Sequence, residues 1–237
     1  MRSAYLFFMI SAILLSGGKG SRFSGPIPKQ YLPLLGKLVI LHSLEALLSY
    51  SDWKEIVIVC EESFEHVFLP YALKQRILFA RPGKERQDSV LAGLKALSSP
   101  YDFVCIHDGA RPLLQPKDLF AVIEQGILHG AATLATQVKN TIKEIHSDLS
   151  IEKTLDRSKL WDIQTPQVLS YSLLTKGFKK VLATKQHITD DISLAELLGE
   201  KAYVVPGSPF NIKITTKEDL FLAEILHKHL CSHTKSL

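Results

Sequence analysis

Apolar positions in this chain come as short continuous runs separated by segments of helical period. Residues 10–15 (Ile-Ser-Ala-Ile-Leu-Leu), 55–60 (Glu-Ile-Val-Ile-Val-Cys) and 103–106 (Phe-Val-Cys-Ile) have strand length and little alternation. That is the pattern of parallel strands covered on both faces. Between them, residues 38–48 place Ile40, Leu41, Leu44, Leu47 and Leu48 at helical spacing, and residues 86–97 and 116–128 read as further helices. The β-α-β alternation predicts a mostly parallel, doubly wound α/β sheet. Ligands of such sheets collect at the carboxyl ends of the strands. Residues 16–22 and 108–111 both fall at that edge, so the two segments are expected to converge on one pocket.

The middle third breaks the alternation. Residues 131–156 are rich in Thr and Ile with polar interruptions, which predicts a projecting β-hairpin arm. An isolated hairpin is marginally stable, so a dimer contact is expected there. Helices follow over 170–182 and after Thr189-Asp190-Asp191, with strands at 202–205 and 211–215. Thr216 and Asp219 form a capping box that opens a last helix from 217 to about 230. No repeats or low-complexity segments divide the chain, so residues 1–237 read as one domain. Met1-Arg2 and the apolar stretch that ends at Leu15 look like a short secretory signal, but cleavage there would discard the first strand. The run is also too short for a membrane span.

Charge narrows the class of partner. The 237 residues are 22% charged with a net charge of +4, and the Lys and Arg residues are scattered, without a like-charge block or an interleaved aromatic platform. Small anionic substrates explain this better than nucleic acid. Cys60, Cys105 and Cys231 are an odd number with no paired spacing, and the first two lie in apolar runs. Reduced thiols in a cytoplasmic compartment, and no zinc site, are expected.

The loop after the first strand reads Ser16-Gly17-Gly18-Lys19-Gly20-Ser21-Arg22, and Pro28-Lys29-Gln30 follows. A strand that breaks into a glycine-rich basic loop offers backbone N–H groups and cations to phosphates. It is neither a Walker loop nor the G-x-G-x-x-G of dinucleotide binders. The GG-x-G-x-R loop with a following Pro-Lys is the pattern of sugar-phosphate nucleotidyltransferases. Asp108, at the end of a buried strand, is placed to hold Mg²⁺ or another divalent cation among phosphate oxygens. Arg22, Lys29 and Lys213 are candidates to neutralise charge developing at the attacked phosphorus. Lys213 lies between Ile212 and Ile214 in an expected buried strand, which favours its pointing into the pocket. His107 reads as a packing or supporting residue.

These motifs, with Glu85-Arg86-Gln87-Asp88-Ser89-Val90, Gln164-Thr165-Pro166-Gln167, Ile188-Thr189-Asp190-Asp191 and Asn211-Ile212-Lys213-Ile214-Thr215, together resemble the 2-C-methyl-D-erythritol 4-phosphate cytidylyltransferase family along nearly the whole chain. The middle and C-terminal parts look closest to the plant plastid branch. The resemblance implies a Rossmann-like nucleotidyltransferase fold, and transfer of CMP from CTP to methylerythritol phosphate in the non-mevalonate route to isoprenoid precursors. It implies that the backbone of Ser16, Gly17, Gly18 and Gly20, with Gly83 and Ser89, holds the nucleotide. Arg22, Lys29 and Lys213 would then stabilise the α-phosphate and Asp108 would hold Mg²⁺. Arg111, Thr141, Thr165 and Thr189 would line the substrate side. The family is a homodimer with the arm exchanged, so Arg157 would reach the substrate of the neighbouring subunit. Departures from the family pattern are Ser16-Gly17 for Ala-Ala, Lys84 for Asp, Gln137 and Asn140 for Pro and Asp, and Phe210 beside the pocket edge. Ribitol 5-phosphate cytidylyltransferases share several of the same strings and form the alternative.

Overall fold

The computed structural model describes residues 8–18, 23 and 27–234. The chain runs through β1 (Ile10–Leu15), β2 (Pro33–Leu34), β3 (Lys37–Leu38), α1 (Val39–Leu48), β4 (Trp53–Val59), α2 (Leu69–Ala72), β5 (Ile77–Ala80), α3 (Arg86–Ala96), β6 (Phe103–Asp108) and α4 (Pro116–His129). It continues with β7 (Ala131–Gln137), β8 (Lys143–Ile145), β9 (Ile151–Thr154), β10 (Trp161–Ser170), α5 (Tyr171–Thr184), α6 (Ser193–Leu198), β11 (Tyr203–Pro206) and α7 (Lys217–Thr234). Seven strands form one sheet in the order β11-β7-β10-β6-β1-β4-β5. All neighbours pair in parallel except β10, which runs antiparallel to both β6 and β7.

Unbroken apolarity in the inner strands follows from cover on both faces. Ile10, Ala12 and Leu14 of β1 pack with α1 (Ile40, Leu44, Leu47) and α4 (Leu119, Val122, Ile123) on one side. Ile13 points the other way, toward Val90 and Leu94 of α3 and the α5 residues Leu174 and Phe178. Each such buried Val, Leu, Ile or Phe side chain contributes about 1.5–3 kcal/mol relative to exposure. A third, smaller cluster joins Leu34, Val39, Leu113, Ile214 and Ala223, with Leu220, Leu226 and Leu230 of α7 packed against it. No described helix is long and apolar enough to cross a membrane.

Two expectations need correction. The arm is shorter than 131–156. Ala131, Ala132, Leu134 and Ala135 are fully buried in β7, Ala132 and Leu134 on the face that packs with α4 and Ala131 on the opposite face with α5. Only the two-stranded ribbon of β8 and β9 projects, and every residue of both strands is exposed. Nor are residues 211–215 a strand. Ile214 N donates to the Ala110 carbonyl (2.9 Å) and Asn211 N to that of Ser208 (3.1 Å), so cross-ties hold this segment in place of a ladder. The capping box is as expected. The Asp219 carboxylate accepts from the Thr215 and Thr216 N–H groups at 2.8 Å, and Asp219 N donates to the Thr216 hydroxyl at 3.4 Å. Strand β10 carries Gln164, Pro166 and Gln167, whose polarity and lost donor conceal it from periodicity.

Candidate active site

β1 leads outward to β4 and β5, while β6 lies on its other side, so the topology switches between β1 and β6. A crevice opens at their carboxyl ends, where Leu15 is in register with Asp108. Beyond β1, Ser16 N donates to the Val59 carbonyl (2.9 Å). The Gln30 side-chain amide donates to the carbonyls of Ser16 (2.7 Å) and Gly18 (3.1 Å). Ser16 Oγ donates to the Tyr31 hydroxyl (2.7 Å), and the Tyr31 ring stacks on Phe64 at 3.7 Å. Together these contacts pin the start of the glycine loop.

Glycines set how closely two walls approach. A Cβ at Gly17 would lie 2.1 Å from Cβ of Pro82, and one at Gly83 would lie 2.2 Å from Cβ of Asp88. Neither site admits a side chain without moving backbone. Gly83 N also donates to Ser89 Oγ (3.1 Å). The resulting cavity, about 390 Å³, is lined by Gly17, Gly18, Lys29, Gly83 and Ser89, with Arg86, Asp108 and Lys213 at its floor. Gly20 and Arg22 lie outside the described residues.

A second, polar cavity of about 310 Å³ shares that floor and is lined further by Arg111, Gln164, Thr165 and Thr189. Between the two stands Asp108. Lys213 Nζ lies 2.7 Å from Oδ2, Arg86 Nε 3.2 Å from Oδ1, and Arg111 Nε 3.8 Å from Oδ2. Burial opposes the Asp108 charge, but Arg86, Lys213 and Arg111 overcome it and hold the carboxyl well below the usual carboxylate range. Three cations that line one or both cavities converge on this carboxylate, and they are the groups a phosphate would meet there.

His107 has a supporting role. Burial, helped by Arg111 and Lys213, holds its pKa down at about 4, so the ring is neutral at pH 7. Its Nε2 is 3.3 Å from the Arg111 carbonyl and its Nδ1 is 3.0 Å from Thr165 Oγ1. With the proton on Nε2, the ring donates to Arg111 and accepts from the Thr165 hydroxyl. The Thr165 oxygen in turn accepts from Asp108 N (3.0 Å), which steadies the residue at the cavity floor.

Within one chain the crevice gathers Gly17, Gly18, Lys29, Gly83, Ser89, Asp108, Arg111, Thr165, Thr189 and Lys213, while Ser16, buried with its hydroxyl on Tyr31, lines neither cavity. It does not gather Thr141 or Arg157. Thr141 is exposed on the arm. Arg157 donates from Nη1 to the Lys139 carbonyl (2.8 Å) and borders a separate, open cavity at the arm's base, beside Trp161. Sequence reasoning singled out neither Arg86 nor Asp191 as site residues. Arg86 is the first residue of α3, where a cation opposes the helix dipole, and that conflict was the available signal. Asn211, fully buried, donates through Nδ2 to the Thr165 carbonyl (2.8 Å) and Gln164 Oε1 (3.1 Å), while its own carbonyl accepts from Arg111 Nη1 (2.8 Å).

The sequence pattern of the family described as IspD, 2-C-methyl-D-erythritol 4-phosphate cytidylyltransferase, matches residues 10–229. A protein of Oryza sativa subsp. japonica named 2-C-methyl-D-erythritol 4-phosphate cytidylyltransferase, chloroplastic, is 47% identical over 219 residues, covering 92% of this chain and 74% of its own. The like-named protein of Chlamydia muridarum is 41% identical over 216 residues, covering 91% and 94%. Among solved structures, the 4-diphosphocytidyl-2C-methyl-D-erythritol synthase of Anaerococcus prevotii superposes with a TM-score of 0.82 at 30% identity, covering 93% of this chain and 99% of that one. The crevice between β1 and β6 and these matches along nearly the whole chain agree: the chain belongs to the 2-C-methyl-D-erythritol 4-phosphate cytidylyltransferase family.

Proposed function

We propose that this enzyme transfers CMP from CTP to 2-C-methyl-D-erythritol 4-phosphate, releasing pyrophosphate in the non-mevalonate isoprenoid pathway. The observation that carries this reading is the floor shared by two cavities, where Lys213, Arg86 and Arg111 surround Asp108. One cavity takes the nucleotide and the other the polyol phosphate. An oxygen of the ionised substrate phosphate attacks the α-phosphorus of CTP, that P–O bond forms, and the bond to the pyrophosphate oxygen breaks. The nucleophile already carries its charge, so no base is needed and neutral His107 is left to position Thr165. What the protein supplies is alignment and charge. Lys29, Lys213 and Arg22 stabilise the α-phosphate as charge develops, and Ser16, Gly17, Gly18, Gly20, Gly83 and Ser89 hold the nucleotide. The close approach of Gly17 to Pro82 narrows the nucleotide cavity where the glycine loop meets residues 82–89, which favours a pyrimidine.

Mg²⁺ fits Asp108. Its carboxylate is ionised and borders both cavities. Among the described residues no group of three His, Cys, Asp or Glu is placed to hold a metal. A cation here therefore relies on Asp108, phosphate oxygens and water, the ligand set Mg²⁺ prefers. Bound there, it would neutralise phosphate charge. On the substrate side Arg111, Thr165 and Thr189 meet the polyol. The exposed arm is completed in a homodimer, each subunit lending Thr141 and Arg157 to its neighbour's crevice. Burial pushes the Cys60 thiol up to about 12 and Cys105 higher still, so both stay protonated, in keeping with a reducing cytoplasmic compartment.

Pyrophosphate release with CTP and either methylerythritol phosphate or ribitol 5-phosphate tests the reading. Methylerythritol phosphate is expected to be the better substrate by far, and ATP and GTP to be poor. A clear preference for ribitol 5-phosphate overturns the assignment.

A further inference from the structure

Arg86 is an expensive residue to place where it stands. At the first position of α3 its charge opposes the helix dipole, yet its guanidinium makes three charged contacts. Nη1 and Nη2 grip both oxygens of Asp191 at 3.0 and 2.7 Å, and Nε reaches Asp108 Oδ1 at 3.2 Å. Asp191 is fully buried and borders neither cavity. Its own backbone N–H and that of Ile192 are held by Gln167 Oε1 at 2.8 and 2.9 Å. The planar fork of Arg matched to a fixed carboxylate allows one orientation of the guanidinium. That orientation places Nε on one Asp108 oxygen and leaves the other to Lys213.

We infer that Asp191 and Arg86 form a positioning pair that sets the rotation of the Asp108 carboxylate, and so which of its oxygens stays with Lys213 and how the other is presented to the crevice. Asp191 acts entirely through Arg86. The inference rests on the proposed cytidylyl transfer, with Asp108 as cation ligand. A buried carboxylate that borders neither cavity then governs the chemical step more than it governs binding.

Asp191→Asn preserves shape and removes the charge that fixes Arg86, while Arg86→Lys keeps a cation and loses the fork. Removing one charge-assisted contact is expected to lower kcat about 10- to 100-fold in either variant. In Asp191→Asn, KM for CTP should stay near that of the wild type, because Asp191 borders neither cavity. Mn²⁺, titrated by electron paramagnetic resonance in the presence of a non-hydrolysable CTP analogue, should bind about tenfold more weakly, the same order of effect. The double variant should be little worse than either single one, because the two residues act as a unit. A folded Asp191→Asn enzyme with wild-type kcat and Mn²⁺ affinity overturns the inference, as do losses that simply add. If Asp191→Asn does not fold, Arg86→Lys decides by the same two readouts. Absence of cytidylyl transfer in the wild type would instead defeat the functional reading, and the Mn²⁺ titration would still judge the pair.

Discussion

Around the crevice floor, Lys213, Asp108, Arg86 and Asp191 meet from four separated stretches of chain, and Asp191 is fully buried among them. On the arm, β8 and β9 pair only with each other, their Lys153–Glu144 contact (2.9 Å) is a surface pair, and Ile145, Leu149 and Ile151 are 52%, 79% and 62% exposed. A surface ion pair contributes little, roughly 0–1 kcal/mol. The floor's charges are thus positioned by the fold of one chain. The arm's apolar side chains stand open within one chain, and a second copy is the cover proposed for them.

The largest effect expected is at the floor. Lys29→Ala or Lys213→Ala should lower turnover by about 10²- to 10³-fold with the protein still folded, the scale of removing one preorganised electrostatic group. Steady-state assays alongside thermal melts check this. Near wild-type turnover in either variant would remove that lysine from the α-phosphate.

A mixture of two inactive variants tests whether the arm completes a neighbour's site. In a mixed dimer of Lys29→Ala and Arg157→Ala chains, the crevice of the Arg157→Ala chain keeps its own Lys29 and borrows an intact Arg157. The other crevice lacks both. After co-refolding equal amounts, about half the dimers are mixed and about a quarter of all sites should work. No recovered activity, with mixed dimers confirmed by mass spectrometry, would confine Arg157 to its own chain or exclude it from the site.

A double change, Ile145→Ser with Ile151→Ser, separates the regions further. Sedimentation should report monomers and activity should fall, while the melting temperature of the sheet domain moves little because both positions are already exposed within one chain. A dimer that persists unchanged would mean that the arm is not what holds the subunits together.

The last effect concerns pH and acts on stability, with turnover at neutral pH untouched. His107 has a folded pKa of about 4 against 6.5 when unfolded. Between those values the unfolded chain binds a proton that the folded chain refuses, so stability falls as pH drops from 6.5 toward 4, by up to about 3 kcal/mol. His107→Asn should flatten this dependence, measured as urea unfolding at successive pH values. An unchanged slope would show that the ring does not titrate as its burial implies.

Strands β1, β4 and β6 and helices α1, α3 and α4 were legible because burial on both faces, or on one helical stripe, writes a local period into the sequence. Gly17, Gly18, Asp108 and Lys213 were legible as residues of one crevice because a glycine break and charged residues beside strand ends mark the carboxyl edge of such a sheet. The partition of 131–156 into a buried strand and an exposed ribbon was not, since Thr and Ala serve both. The reach of Lys213 also has a different basis from the expected strand. It depends on Ile214 packed under α7 and tied to Ala110, a contact across more than a hundred residues. Local pattern thus determined those elements and the crevice edge, and pointed to the kind of chemistry. Only the tertiary structure decided that Arg86 joins Asp191 to Asp108 and that Arg157 stays out of its own chain's crevice, because pairings between distant segments leave no period in the chain.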